Sequence, residues 1–263
     1  MKIGFIGTGN MGGAMIDGIL ASKMVTAADI FVSDISQTQL QKYQDKGINT
    51  STDNKVTATN ADYIFLTVKP QFYEAVLADL KEFSDKIYIT VAPGITTQFL
   101  RNMLSATTKV VRTMPNTPAL VGEGVTAVCR GDNITDEEYE TVKQLLSAFS
   151  EIHELPEDKM DAIISVSGSS PAYVYLLIDA MAKSGERQGI PYKTALRMAG
   201  KTVLGAAKLL LSSQDSAEVL VDKVCSKGGT TIEAVNHLQE HDFYQLIDNA
   251  MEECTRRALE LKK

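Results

Sequence analysis

The chain begins with a short apolar segment, residues 2–6, that leads directly into three glycines spaced as G-x-G-x-x-G, residues 7–12. Helix-compatible apolar residues follow from Ala14 onwards. In a strand–loop–helix unit, the first glycine makes the tight turn, the second lets the backbone approach a pyrophosphate, and the third lets the helix pack closely on the strand. The pattern predicts a dinucleotide-binding Rossmann unit. The alternative is a glycine-rich turn in an α/β protein that binds no nucleotide.

Apolar runs alternate with helix-compatible segments throughout residues 1–155. Such alternation is typical of parallel strands joined by crossover helices that cover both faces of the sheet. Beyond Pro156 the sequence has helical periodicity and no convincing strand. We therefore expect an α/β fold, with an N-terminal Rossmann-type parallel-sheet domain, residues 1–155, and an all-helical C-terminal domain, residues 156–263. The predicted strands after the first are residues 30–33, 63–68, 87–91, 109–112, 125–128 and 151–154.

The predicted helical domain carries more apolar surface than one helical layer can cover. Residues 173–178 are hydrophobic almost all round, and a helix that is apolar on every side is usually buried on every side. Gly200 and Gly205, in the next predicted helix, suggest close helix–helix contact. We expect a homodimer through this domain. The alternative is a monomer with a large interdomain interface.

Several residues mark where the predicted helices begin. A capping box, in which Ser or Thr and a Glu or Gln three residues later bond each other's backbone N–H groups, fits at Ser36, Thr135 and Thr230. Pro70 and Pro171 are placed for a first helical turn, where the missing N–H of proline costs nothing.

Net charge and composition limit the binding partners and the cellular compartment that we expect. The net charge of −7 gives no electrostatic support for binding nucleic acid or an anionic membrane. No run reaches the roughly 18 apolar residues of a membrane span, and the start of the chain reads as a strand rather than a signal peptide. Cys129, Cys225 and Cys254 are widely spaced, as expected of reduced thiols in a cytoplasmic protein. We interpret His237 and His241 as surface residues and expect no metal.

The end of the second predicted strand bears on the choice of cofactor. Asp34 lies about 20 residues beyond the glycine loop, where a carboxylate accepts hydrogen bonds from the ribose hydroxyls of NAD and would repel a 2′-phosphate. The Ser33 hydroxyl could donate a hydrogen bond either to a ribose hydroxyl or to a 2′-phosphate. The negative charge of Asp34 favours NADH over NADPH. The alternative is that Asp34 is a solvated turn residue. Lys69 follows a buried strand and could neutralise phosphate, or it could be an ordinary surface lysine.

Further loops fall where ligands bind in parallel sheets, outside the carboxyl ends of the strands. Residues 68–71, 92–94 and 114–118 are rich in proline or small residues and suit a rigid nicotinamide–ribose shelf. In the helical half, residues 225–231 combine two glycines, two threonines and a helix start, which can bind a small carboxylate. A plain interhelical turn explains that segment equally well. Residues 167–171 form a similar polar helix start.

Taken in order along the chain, these motifs resemble those of pyrroline-5-carboxylate reductases, and the likeness spans nearly the whole sequence. The resemblance implies reduction of 1-pyrroline-5-carboxylate to L-proline with NADPH or NADH, the last step of proline biosynthesis. It implies a homodimer through the helical domain, sometimes assembled into a larger ring, with the active site where the cofactor domain meets the helical domains of the dimer. The motifs that carry it are residues 7–12, 68–71, 114–119, 167–173 and 225–231.

The resemblance also implies roles for individual residues. Thr231 is expected to be the catalytic residue, with its hydroxyl on the ring nitrogen. The implied substrate-binding residues are Glu157, Ser226, Gly228, Gly229, Thr230 and Thr231. The implied cofactor-binding residues are Ile6, Gly7, Thr8, Gly9, Asn10, Met11, Ser33, Asn54, Val68, Lys69 and Pro70, and the charge argument adds Asp34.

Three positions depart from the family's usual pattern. Pro93 replaces an alanine and removes a backbone donor. Lys227 replaces a proline and adds a charge beside the expected anion site. Asp34 is not expected of a member that prefers NADPH.

Two rival functions remain open from the sequence. A β-hydroxyacid dehydrogenase also joins a Rossmann domain to helices, but needs a general base such as lysine, for which Lys183 and Lys201 are candidates by residue type only. A non-catalytic NAD(P)-sensing protein would need only the first site.

Overall fold

The computed structural model describes residues 1–263 and divides them into two compact units. One unit contains Met1–Ser169 together with Cys254–Lys263, and the other contains Ser170–Glu253. This grouping differs from the division expected at residue 155. The reason is packing: Met160, Ile164 and Ala258 share a small buried core with Met114 and Cys129 of the sheet.

The first unit is built on one eight-stranded sheet with the order β3-β2-β1-β4-β5-β6-β7-β8. The Rossmann-type class is confirmed, with two differences from the expected strands. A short polar strand, Asn49–Ser51, lacks the apolar pattern that would have predicted it. The strands are β1 Ile3–Ile6, β2 Ile30–Ser33, β3 Asn49–Ser51, β4 Tyr63–Leu66, β5 Ile87–Thr90, β6 Lys109–Pro115, β7 Gly124–Arg130 and β8 Ser150–Glu154.

The second difference is the direction of β7, which pairs antiparallel to β6, whereas every other pair in the sheet is parallel. The connection between them, residues 116–123, contains only a short 3₁₀ turn, Thr117–Val121. A parallel crossover needs about a dozen residues or more, so this connection can only reverse the chain.

Buried apolar side chains fill both faces of the sheet. Phe5 and Phe65 stack on neighbouring strands with ring centroids 4.7 Å apart. On one face the core includes Met15 and Ile16 of the first helix, and on the other it includes Tyr73 and Tyr88. Strands covered on both faces are what the continuous apolar runs of the sequence predict.

Helices cover the sheet and make up the second unit. No helix combines the length and the apolar composition that a membrane span needs. A π-helix, Ile164–Gly168, is separated by one residue from the long helix that begins at Ser170. The helices are α1 Asn10–Ser22, α2 Gln37–Gln44, α3 Asn54–Asn60, α4 Tyr73–Asp79, α5 Thr97–Met103, α6 Asp136–Ser147, α7 Ser170–Arg187, α8 Tyr192–Ser212, α9 Ala217–Val224, α10 Thr230–Glu240 and α11 Phe243–Glu260.

The three expected capping boxes have different outcomes. At Thr135 both bonds are present, at 2.9 and 3.2 Å, so that box is confirmed. Ser36 accepts one weak bond from the Gln39 N–H, at 3.4 Å. At Thr230 the prediction is wrong, because Gly229 occupies the N-cap position and no side chain caps α10.

The helices of the second unit expose much of their apolar surface within one chain. Only Ala182 of α7, and Ala195 and Ala199 of α8, are buried among the residues of those two long helices. Leu176 is 70% exposed. A Cβ atom built on Gly200 would meet no atom within 4 Å, so the close contact expected there is not made within the subunit.

A buried ionic cluster joins the sheet to the segments that follow it. Arg112 of β6 is fully buried and bonds Asp161, which is 2% exposed. Lys262 approaches the other oxygen of Asp161 at 3.1 Å. Glu157 lies 3.6 Å from the Arg112 guanidinium and accepts hydrogen bonds from the N–H and hydroxyl of Thr97, at 2.8 and 2.6 Å.

We expect Asp161→Ala to lower the free energy of unfolding by about 3–5 kcal/mol, since it leaves the Arg112 charge buried without its closest partner. The double variant Arg112→Met, Asp161→Leu should recover most of that loss, because it removes both charges together. Urea unfolding followed by circular dichroism measures both. Equal instability of the single and double variants would contradict this account.

Candidate functional site

The glycine loop is held in place by contacts that only glycine permits. Gly7 has φ of +96°, in the left-handed region, and its N–H donates to the Ser33 carbonyl at 2.8 Å. The Thr67 hydroxyl donates to the Gly7 carbonyl at 2.5 Å. A Cβ on Gly12 would lie 2.6 Å from that same carbonyl oxygen. The first and third glycines are therefore required by the fold of the loop itself.

The second glycine has a different environment. A Cβ on Gly9 would meet nothing within 4 Å, so no contact inside the chain requires glycine there. Gly9 is the N-cap of α1, and no side chain accepts a hydrogen bond from the first N–H groups of that helix. Open space and uncapped N–H groups at a helix start fit a bound pyrophosphate.

Asp34 is tied to the glycine loop. Its Oδ2 accepts hydrogen bonds from the N–H and the hydroxyl of Thr8, at 2.7 and 2.8 Å, and its Oδ1 accepts from the Ser36 N–H at 2.9 Å. Asp34 therefore fixes the loop after β1 to the turn after β2. The Asp34 carboxylate also lies where the sequence predicts that the adenosine ribose binds.

A cavity of about 400 Å³ lies beside this loop. On its polar wall the Ser33 hydroxyl donates to Asn54 at 2.8 Å. Eight residues that the sequence singled out for the cofactor line the cavity: Ile6, Gly7, Gly9, Ser33, Asp34, Asn54, Val68 and Lys69. The remaining four, Thr8, Asn10, Met11 and Pro70, are neighbours of these in the chain and do not line it.

Sequence reasoning missed part of the cavity wall. Thr67 lies within the strand predicted over residues 63–68, and nothing in that apolar run indicates that it lines a cavity. The other missed residues lie on the turn after β2 and around α4, where the helical pattern gave no sign of which side faces a ligand. They are Ile35, Phe72, Ala75, Val76 and Asp79.

The carboxyl ends of β4 and β5 are braced by a buried tyrosine. The Tyr73 hydroxyl donates to the Leu66 carbonyl at 2.7 Å and lies 2.9 Å from the Thr90 hydroxyl. Burial raises the pKa of Tyr73, so the hydroxyl remains protonated and able to donate. This bond holds the strand ends that carry Val68 and Lys69. The Lys69 side chain is exposed and forms no ion pair within the chain.

The second predicted site lies in the second unit, at the start of α10. Gly228 has φ of +70°, and the Gly229 N–H donates to the Ser226 carbonyl at 2.9 Å. A Cβ on Gly229 would lie 2.3 Å from the Ser226 hydroxyl and 3.1 Å from the Ser226 carbonyl oxygen, so a side chain there would displace that hydroxyl. The turn delivers uncapped helical N–H groups beside the hydroxyls of Thr230 and Thr231, an arrangement able to bind a carboxylate.

Glu157, predicted to bind the substrate, belongs to the first unit, where Thr97 and Arg112 already engage its carboxylate. The Cys129 thiol, in the same region, is inert, because burial raises its pKa to about 11. His237 and His241 are exposed, with ring centroids 4.0 Å apart.

Comparison with known proteins decides the family. Residues 157–261 match the family model for pyrroline-5-carboxylate reductase dimerisation, and residues 2–94 match one for NADP oxidoreductases that use coenzyme F420. The chain is 38% identical to pyrroline-5-carboxylate reductase of Escherichia coli K12, with 100% of the chain and 98% of that protein covered. The chain belongs to the pyrroline-5-carboxylate reductase family. The resemblance stated from the motifs is thus confirmed.

Other members of the family agree. The reductase of Methanosarcina acetivorans is also 38% identical, with 100% of the chain and 98% of that protein covered. A solved structure of the Coxiella burnetii reductase superposes with a TM-score of 0.92 at 31% identity, and one of the Plasmodium falciparum enzyme with NADP bound does so with 0.92 at 28%. Each comparison covers 100% of this chain and 98% of the other. The matched dimerisation model supports the expected homodimer.

Two glycine substitutions separate the roles of the loop. Gly12→Ala should lower both the thermal midpoint and cofactor affinity, because its methyl group overlaps the Gly7 carbonyl. Gly9→Ala should leave the thermal midpoint within a degree or two of the parent, by the usual small effect of surface changes, yet weaken NADH binding at least roughly tenfold by blocking the pyrophosphate. Calorimetry and fluorescence titration measure these effects. Unchanged NADH affinity in Gly9→Ala would refute the assignment of the loop.

Proposed function

We propose that this chain reduces 1-pyrroline-5-carboxylate to L-proline with NAD(P)H, the last step of proline biosynthesis. The observation that carries the proposal is the 38% identity to reductases of that name, over a match that covers the whole chain and so spans both the glycine loop and the turn before α10. The β-hydroxyacid dehydrogenase alternative is not favoured by these relatives. A sensor without turnover would have no use for the second site.

The residues of the chain position the substrate and stabilise its charges, and none of them needs to act as a strong acid or base. The reduced nicotinamide, when bound, supplies a hydride for the C=N carbon. The uncapped N–H groups of α10 bind the substrate carboxylate, with the turn of Ser226, Gly228 and Gly229 fixing their direction. The Thr231 Oγ1 accepts a hydrogen bond from the protonated ring nitrogen and so stabilises the electrophilic iminium. Solvent provides the proton.

The cavity wall favours NADH over NADPH. Two carboxylates, Asp34 and Asp79, line it, against one cation, Lys69. Asp34 is held rigidly by Thr8 and Ser36, so it cannot swing away from a 2′-phosphate. Like charges near a protein surface repel by roughly 1–4 kcal/mol at contact distance.

A homodimer through the helical unit, in the cytoplasm, completes the proposal. The apolar side chains of α7 and α8, exposed in one subunit, give a second copy a surface to bury. Association of such dimers into a larger ring, without membrane or nucleic acid partners, remains part of the proposal.

The role of Thr231 is testable by steady-state kinetics with pyrroline-5-carboxylate. Thr231→Val should lower kcat/KM roughly ten- to hundredfold, the usual worth of a hydrogen bond to a charged group. Thr231→Ser should recover part of that loss because it restores the hydroxyl. Thr202→Val, whose hydroxyl bonds only the Met198 carbonyl on α8, serves as a control and should match the parent. An undiminished kcat/KM in Thr231→Val would exclude this role.

Cofactor preference needs the same assay with each cofactor in turn. We expect kcat/KM to be roughly tenfold higher with NADH than with NADPH, from the repulsion at Asp34. Asp34→Asn should narrow the ratio by removing the charge. Equal or better use of NADPH by the parent would contradict the electrostatic argument, while turnover of hydroxyacids but not of the imine would contradict the proposed reaction.

A further inference from the structure

Residues 261–263 pack on the loop that follows β5. The Lys263 N–H donates to the Gly94 carbonyl at 2.7 Å, and the Thr96 hydroxyl donates to the Lys263 carbonyl at 2.7 Å. Gly94 has φ of +72°, and a Cβ on it would lie 2.5 Å from the Leu261 carbonyl oxygen. The segment and the loop therefore fit together closely, and a side chain at residue 94 would push them apart.

The Lys263 side chain extends to the polypeptide that follows β4. Its Nζ lies 2.7 Å from Oε1 of Glu74, in the first turn of α4, and 5.7 Å from the centre of the Phe99 ring of α5. Glu74 follows Tyr73, the buried tyrosine that braces the ends of β4 and β5. One residue thus contacts both the chain that leaves β4 and the chain that leaves β5.

The strand order indicates which part of a dinucleotide would lie near these two segments. Neighbouring strands run β2-β1-β4-β5, and because these pairs are all parallel, their carboxyl ends share one edge of the sheet. The adenosine ribose is expected beside β2 and the pyrophosphate at the loop after β1. A dinucleotide extended along that edge carries its nicotinamide towards the ends of β4 and β5.

The backbone bonds of Lys263 hold the loop more firmly than its charge does. The side chains of Lys263 and Glu74 are 36% and 61% exposed, so water screens their ion pair. An ordered lysine side chain also gives up much rotamer freedom, whereas the bonds to Gly94 and Thr96 involve the Lys263 backbone and do not carry that cost. Loss of the backbone bonds should therefore have the larger effect on the loop.

We propose that residues 261–263 are a positioning segment for hydride transfer. They hold the loop after β5 at a fixed distance from the segment after β4, and so keep the nicotinamide ring in its reactive orientation. A displacement of about 1 Å between reacting groups can slow a reaction as much as a hundredfold. Lys263 acts through the loop and does not touch the substrate. The inference rests on the proposed function, since it needs a reaction whose rate can be followed.

The test is a single-turnover measurement with pyrroline-5-carboxylate. Protein loaded with NADH is mixed rapidly with excess imine, and the loss of nicotinamide absorbance is followed. The rate reports hydride transfer, and the amplitude reports how much of the protein is competent. Lys263→Pro removes the N–H that donates to Gly94. It should slow transfer about three- to tenfold, the range spanned by one ordinary hydrogen bond, while the amplitude is retained.

The dissociation constant for NADH should stay within about twofold of the parent's in Lys263→Pro, because the expected pyrophosphate and ribose contacts lie at other strands. Lys263→Ala is the matched variant: it keeps the backbone bonds and loses only the ion pair, so it should slow transfer less than about twofold. Equal slowing by both variants would contradict the role of the backbone bonds.

A loss of amplitude at an unchanged rate in Lys263→Pro would overturn the proposal, because a merely structural role lowers the number of active molecules and not their rate. A parent and a Lys263→Pro variant that react equally fast would refute this inference alone. A parent that binds NADH but reduces no imine would refute the proposed reaction and this inference together.

Discussion

The close approach of Gly12 to the carbonyl of Gly7 is the constraint on which the rest of the first unit depends. It sets α1 against β1 and aims the uncapped end of that helix at open space. Thr67 then bonds the same carbonyl and links the end of β4 to the loop. One small contact thereby aligns a helix and two strand ends, and the cavity between them follows from that alignment.

Charge is used in two ways in this unit. Arg112 and Asp161 are buried, and with the exposed Lys262 they join the end of the chain to the sheet, so this cluster acts on the fold. Asp34 and Asp79 line the cavity beside the glycine loop, and Asp34 also fixes that loop through its bonds to Thr8 and Ser36. Carboxylates of this unit therefore brace the fold and also set the charge of the cavity wall.

Much of this could be read from the sequence, because short-range patterns report local structure. The glycine loop, the apolar strands and the box at Thr135 are all local, and the structure bears them out. The features that the sequence did not predict depend mostly on partners far away along the chain. The bond of Asp34 to Thr8 spans 26 positions, and the strand Asn49–Ser51 is held by its neighbour β2 rather than by its own apolarity. The failure at Thr230 is local instead: Gly228 is left-handed, and Gly229, one residue before the predicted position, is the N-cap of α10.

The sparse interior of α7 and α8 has a consequence for how the molecule behaves on dilution. Three alanines are the only buried side chains of these helices, so packing within the subunit contributes little to their stability. A homodimer supplies the missing enclosure, so folding of the helical half and association become one equilibrium. The melting temperature of the helical half then depends on protein concentration. The sheet is enclosed on both faces by its own chain and has no such dependence of its own.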